Sequence, residues 1–142
     1  MIRKSGSAYW HGSIEEGGGT ISTQTGMLKE APYGFKARFE DGPGTNPEEL
    51  IGAAHAGCYS MALSLILGQA GLTAESIRTT ATVSLDKDGD GFAIKAVHLD
   101  VVAKIPGADQ AAFDEATTAA KAGCPVSKLL KTDITMDAKL EQ

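Results

Sequence analysis

The sequence predicts an α+β fold of antiparallel strands with a long helix among them. Three observations carry this expectation. The first third alternates polar and apolar residues between glycine turns, an apolar segment of helical period opens on a strong capping sequence at Asn46, and a second alternating pair runs from Ile77 to Ile105. No repeat, linker or low-complexity stretch interrupts the 142 residues, so 1–142 is expected to form one domain.

Ala8 to Ile14 and Thr20 to Thr25 are expected as strands of a hairpin, with Gly17-Gly18-Gly19 supplying the positive φ of a tight turn. From Tyr33 to Glu40, Phe35, Ala37 and Phe39 alternate with Lys36, Arg38 and Glu40, the pattern of a half-buried strand that carries Arg38. Asn46 is placed to cap a helix with Pro47 at its first position and Glu49 as the acid of a capping box. This helix is expected to run to about Gly71 and to bury a stripe of Leu50, Ala54, Cys58, Met61, Ala62 and Leu65.

Ile77 to Asp86 and Phe92 to Ile105 form a second hairpin around Asp88-Gly89-Asp90-Gly91. A change of apolar phase, from Phe92 and Ile94 to Val97, Leu99 and Val101, predicts a bulge near Ala96. Asp109 to Ala122 follows as an alanine-rich helix closed by Gly123, and Pro125 opens a short helix capped by Cys124. Ile134 to Leu140 closes the fold as a strand with Ile134, Met136, Ala138 and Leu140 inward.

Composition narrows the functional classes. A net charge of −5, without a dense Lys/Arg run, argues against nucleic acid or an anionic membrane surface as partner. Ser5-Gly6-Ser7 interrupts any signal-peptide start, and Glu49, His55, Ser60 and Ser64 break the most apolar segment, so a cytoplasmic protein that does not enter the membrane is expected. In a reducing compartment two cysteines form a redox or metal-binding pair, or simply fill space.

A cysteine attacks as its thiolate, which a cation or a helix N-terminus favours and apolar burial disfavours. Cys124 has the helix position, whereas Cys58 lies inside an apolar stripe and needs a cation to ionise. Free cysteine is also a common core filler, so the residues alone leave both thiols open to that role. His55, three residues before Cys58, shares its helix face, but two ligands do not make a zinc site and a hydrogen-bonded structural histidine is the expectation. His11 and His98 lack ligand spacing, and no motif implies a cofactor. Arg38 by composition is a solvated strand residue. Glu49 stands nine residues before Cys58, half a helical turn away and about 13 Å along the axis, so it can serve that sulfur only from a second subunit.

The segment Thr45-Asn46-Pro47-Glu48-Glu49-Leu50-Ile51-Gly52-Ala53-Ala54-His55-Ala56-Gly57-Cys58, with Ser60-Met61-Ala62-Leu63-Ser64 after it, closely resembles the osmotically inducible protein C (OsmC) family. Lys121-Ala122-Gly123-Cys124-Pro125-Val126-Ser127 is similar to that family's second cysteine motif, and Pro32-Tyr33-Gly34-Phe35 with Arg38-Phe39 to its arginine segment. The resemblance covers essentially the whole chain and is closer to OsmC proper than to the sister organic hydroperoxide resistance group.

The resemblance implies an OsmC-like fold in an intertwined homodimer with two active sites at the subunit boundary. It implies a thiol peroxidase of oxidative and osmotic stress defence, acting on alkyl hydroperoxides and less well on hydrogen peroxide. By match of motif, Cys58 takes the peroxidatic role, Cys124 the resolving role, and Arg38 with Glu49 the supporting ion pair. The Cys58–Cys124 disulfide would be reopened by an external dithiol, a dihydrolipoyl group being the family's usual donor. An apolar wall from Met61 and Phe39 would suit an alkyl substrate. Two rivals stand beside this reading: a thiol-disulfide oxidoreductase or redox sensor using Cys124-Pro125-Val126-Ser127, and a non-catalytic binding protein.

Overall fold

The computed structural model describes residues 1–142, which divide into two compact units, Met1–Leu50 and Ile51–Gln142.

In the first unit β1 (Gly6–His11), β2 (Gly18–Thr23) and β3 (Ala31–Tyr33) form an antiparallel meander. β1 pairs with β2 from Gly6↔Thr23 to His11↔Gly18, so Gly18 and Gly19 lie within a strand and the turn falls before them. The positive φ expected of the triple glycine is found instead at Gly12, at 85°. Gly17 and Gly19 are needed for space: a Cβ on Gly17 would collide with the carbonyl oxygens of His11 and Ser13, and one on Gly19 with that of Tyr9.

Arg38 does not lie on a strand. Gly34 precedes a single helical turn, α1 (Phe35–Phe39), in which Arg38 N–H donates to Gly34 O at 3.1 Å. The ladder runs out here: Tyr33 pairs with Gly19, and β2 begins only one residue earlier, so the following backbone bonds to itself. The phenylalanines that alternate in a strand pattern are also four residues apart, and their rings meet at 5.1 Å across the turn.

α2 (Pro47–Gln69) starts as expected, with Glu49 N–H donating to Asn46 Oδ1 at 2.8 Å. Asn46 Nδ2 also donates to Ala37 O at 2.9 Å, which ties the cap to α1. The predicted capping box does not close, because the Glu49 carboxylate accepts from Thr45 Oγ1 at 2.6 Å. By length and composition α2 would suffice to cross a membrane, contrary to the expectation that its polar residues break the run.

In the second unit β4 (Ser76–Asp88) and β5 (Gly91–Lys104) form the predicted hairpin, turning through Gly89 (φ 60°) and Asp90. The predicted bulge is present: Ser84 faces Ala96 while Leu85 faces Ile94, so Lys95 is the additional residue. α3 (Gln110–Gly123), capped by Asp109, and α4 (Pro125–Leu129) follow, then β6 (Asp133–Glu141). β6 runs parallel to β5, from Ala96↔Asp133 to Lys104↔Glu141, which corrects the all-antiparallel expectation. The two helices carry the chain back along the sheet before β6 begins, and such a crossover produces a parallel pair.

Val97, Leu99, Val101 and Ala103 of β5 are buried in one cluster with Tyr59, Leu63 and Leu67 of α2 and with Phe113, Ala116 and Ala120 of α3. The buried face of α2 is therefore Gly52, His55, Tyr59, Leu63 and Leu67, not the predicted stripe. Met61 and Leu65 are 76% and 65% exposed. The helix carries apolar residues on two faces, and the sheet takes the one bearing Tyr59.

Candidate active site

Cys124 stands at a corner. It ends α3, its N–H donating to Ala120 O at 3.0 Å, and begins α4, with Pro125 at the first helical position and Lys128 N–H returning to its carbonyl at 3.1 Å. Its side chain is fully buried, whereas Cys58 on α2 is partly exposed, and both are free thiols.

The structure brings the two sulfurs together, with the Cys58 thiol donating to Cys124. Burial, aided by that donation, pushes the Cys58 thiol above its ordinary value, although the Val126 N–H pulls the other way. Burial also acts to raise Cys124, but donors from Cys58, the N–H and hydroxyl of Ser127 and the N–H of Val126 outweigh it. Its net shift is downward. Within this unit the buried Cys124 is thus the more acidic sulfur and the accessible Cys58 the less acidic one.

Cys58 opens on a groove of about 640 Å³ lined by Met61, Ala62, Leu65 and Ile66 of α2 and by Gly123 and Pro125 of the corner. The lining is apolar apart from the thiol. Cys124 is not part of it, so a molecule in the groove meets one sulfur with the other behind it. The predicted Met61 wall is present in this groove; Phe39 lines a different one, of about 270 Å³, with Trp10, Ile14, Tyr33 and Arg38.

Arg38 is held in the first unit by a bidentate pair with Glu48: Nε to Oε1 at 3.0 Å and the terminal nitrogen to Oε2 at 3.1 Å. Glu49 is not its partner, which corrects the predicted ion pair. Consecutive helical residues diverge by about 100°, so the two acids face different ways. Glu48 is 8% exposed, while the carboxylate of Glu49 is engaged by Thr45. The capping pattern contained the clue, since the acid committed to the cap leaves its neighbour for Arg38. The guanidinium also lies 5.3 Å from the Phe39 ring centroid.

His55 is fully buried, with Nε2 2.8 Å from Ser127 Oγ, as a hydrogen-bonded histidine should be. Desolvation lowers its pKa. The residues that could hold a metal are His98, Asp100 and Asp137, whose ligand atoms lie within 4.8 Å of one another. The sequence concealed this group because Asp137 reaches it from the parallel neighbour strand. His98 is already engaged there, with Nε2 3.0 Å from Asp137 and Nδ1 bonded to Thr135.

The family model described as OsmC-like protein matches residues 40–139. The chain is 57% identical over 140 residues to Peroxiredoxin OsmC of Escherichia coli, covering 99% of this chain and 98% of that one. The chain belongs to the OsmC family. Among solved structures, an OsmC-like protein of unknown function from Vibrio cholerae superposes with a TM-score of 0.76 at 17% identity, covering 97% of this chain and 99% of that one. The organic hydroperoxide resistance protein OhrB of Bacillus subtilis gives 0.67 at 24% identity, with coverages of 96% and 98%. At these identities the likeness speaks for the OsmC fold alone.

Proposed function

We infer that the chain is a thiol-dependent peroxidase that reduces organic hydroperoxides to alcohols. The observation that carries this reading is the apolar groove with Cys58 in its wall and Cys124 hydrogen-bonded behind it. The extensive identity with a peroxiredoxin supports it. A groove lined by Met61, Leu65 and Ile66 favours an alkyl substituent over hydrogen peroxide, which has no apolar surface to bury.

In the first step the Cys58 thiolate attacks one oxygen of the O–O bond. The bond breaks with its electron pair on the departing alkoxide, which takes up a proton and leaves as alcohol, and Cys58 becomes a sulfenic acid. Cys124 then displaces hydroxide from that sulfur and forms the disulfide, which an external dithiol reopens by exchange. A dihydrolipoyl group is the donor we propose, with the cytoplasm as the reducing compartment.

Attack requires ionisation to be shifted from the more acidic Cys124 to Cys58. A cation facing the groove would do this, and Arg38, steadied by Glu48, supplies it from the second chain of a homodimer. The exposed apolar side chains of Met61 and Leu65 support such an association. The guanidinium would then also donate to the departing oxygen as its charge builds. Glu49 is left as a residue of the helix cap.

A second reading, in which Cys124 attacks disulfide substrates, is favoured by the lowered pKa of Cys124. Cumene hydroperoxide consumption separates the two. Cys58→Ser is expected to abolish turnover, and Cys124→Ser to consume about one equivalent per chain before stopping. Undiminished turnover by Cys58→Ser would overturn the peroxidase mechanism in favour of Cys124.

A further inference from the structure

The buried pair of His55 and Ser127 lies outside the groove that Cys58 faces. These residues are 72 positions apart in sequence, yet their side chains meet at 2.8 Å with His55 fully buried. We propose that His55 is a positioning residue that fixes the Ser127 hydroxyl as a hydrogen-bond donor to the sulfur of Cys124, and so readies Cys124 for the resolving step. This rests on the reading of Cys58 and Cys124 as attacking and resolving thiols.

The direction of each hydrogen bond follows from counting protons. Ser127 has one hydroxyl proton, to give to His55 or to Cys124. Giving it to Nε2 would put the imidazole proton on Nδ1, which is buried without a partner, and would leave Ser127 no proton for the sulfur. With the imidazole proton on Nε2 instead, His55 donates to Ser127 Oγ, and the hydroxyl is directed to Cys124. Both protons then rest on an acceptor. Burial keeps the imidazole neutral, so His55 holds the serine in place without taking a proton itself.

Ser127 donates to the Cys124 sulfur through its N–H as well as its hydroxyl, and in the proposed mechanism that sulfur is a reacting atom. In the resolving step an electron pair on the Cys124 thiolate forms the S–S bond, and the Cys58 S–O bond breaks with its pair on oxygen. Cys124 is oxidised and the sulfenic sulfur reduced. The departing hydroxide takes a proton and leaves as water, balancing the proton Cys124 lost on ionising. A hydroxyl that stabilises the attacking thiolate raises its population at neutral pH.

The test uses the full chain, one equivalent of cumene hydroperoxide, timed acid quench, and mass spectrometry of dimedone-trapped sulfenic acid against disulfide. Ser127→Ala is expected to lower the rate of disulfide formation relative to that of Cys58 oxidation by about tenfold, the effect of losing one hydrogen bond to a charged group. His55→Leu should lower this ratio in the same way. His55→Gln, whose amide can still donate to Ser127, should recover most of it. In a Cys58→Ser background, Ser127→Ala should move the thiolate absorbance titration of Cys124 to higher pH, a readout that packing alone would not shift. An unchanged ratio in Ser127→Ala and His55→Leu overturns the proposal, as does equal slowing of both steps. If the parent protein itself forms no disulfide between residues 58 and 124, the underlying two-cysteine reading fails instead, and this inference with it.

Discussion

Cys58 and Cys124 are in contact, yet their surroundings divide the properties of a nucleophile between them. Cys58 has access, through an apolar groove that raises its pKa. Cys124 has acidity, through donors gathered at the corner between α3 and α4, and no access. The difference teaches that the more acidic sulfur is not the one a substrate can reach; on the mechanism proposed above, a cation at the groove is what shifts ionisation from one to the other. A resting thiol that is accessible but protonated is also less prone to adventitious oxidation.

The sharpest way to break this contrast is to remove the cation. Arg38→Met is expected to lower kcat/KM for cumene hydroperoxide by about a hundredfold, the scale of losing a preorganised charge donor. Glu48→Gln should cost about tenfold, since it loosens a bidentate pair without removing the charge. Glu49→Gln should stay within about twofold, because its hydrogen bond to Thr45 lies at the helix cap. Equal losses for the two glutamate variants would refute the assignment of Glu48 as the partner of Arg38 in catalysis.

The groove comes next. Ile66→Ala removes apolar surface from its lining without adding a charge and is expected to raise KM for cumene hydroperoxide by roughly fivefold, about the worth of part of one aliphatic side chain. Turnover of hydrogen peroxide should change far less. Parallel losses for both substrates would argue that the groove does not select alkyl groups.

The smallest expected effect concerns stability. An unfolded histidine titrates near about 6.5, and burial lowers His55 below that value, so between the two pKa values the unfolded chain binds more protons. The contribution of His55 is therefore complete above about pH 6.5 and is lost as the pH falls toward the folded pKa. Thermal midpoints at about pH 7.5 and about pH 5.5 should differ more in the parent protein than in His55→Gln. Equal differences would mean that His55 is not held neutral in the fold.

Much was legible in the chain itself. The capping residues around Asn46, the Asp88–Gly91 turn, the bulge beside Ala96 and the Cys124-Pro125 helix start are local patterns, and local backbone preference alone is enough to specify them. The two cysteine motifs picked out the thiols that the fold brings together. Their meeting across 66 positions, by contrast, is a matter of tertiary packing. So is the buried face of α2: apolar residues line two sides of that helix, and periodicity cannot choose between them. The sheet chose, by taking Tyr59, Leu63 and Leu67, and that left Cys58 at the edge of an open groove. Which of two adjacent acids serves Arg38, and which way β6 runs, were decided in the same manner. Each depends on where a distant element comes to rest, and residue spacing along one chain carries no record of that.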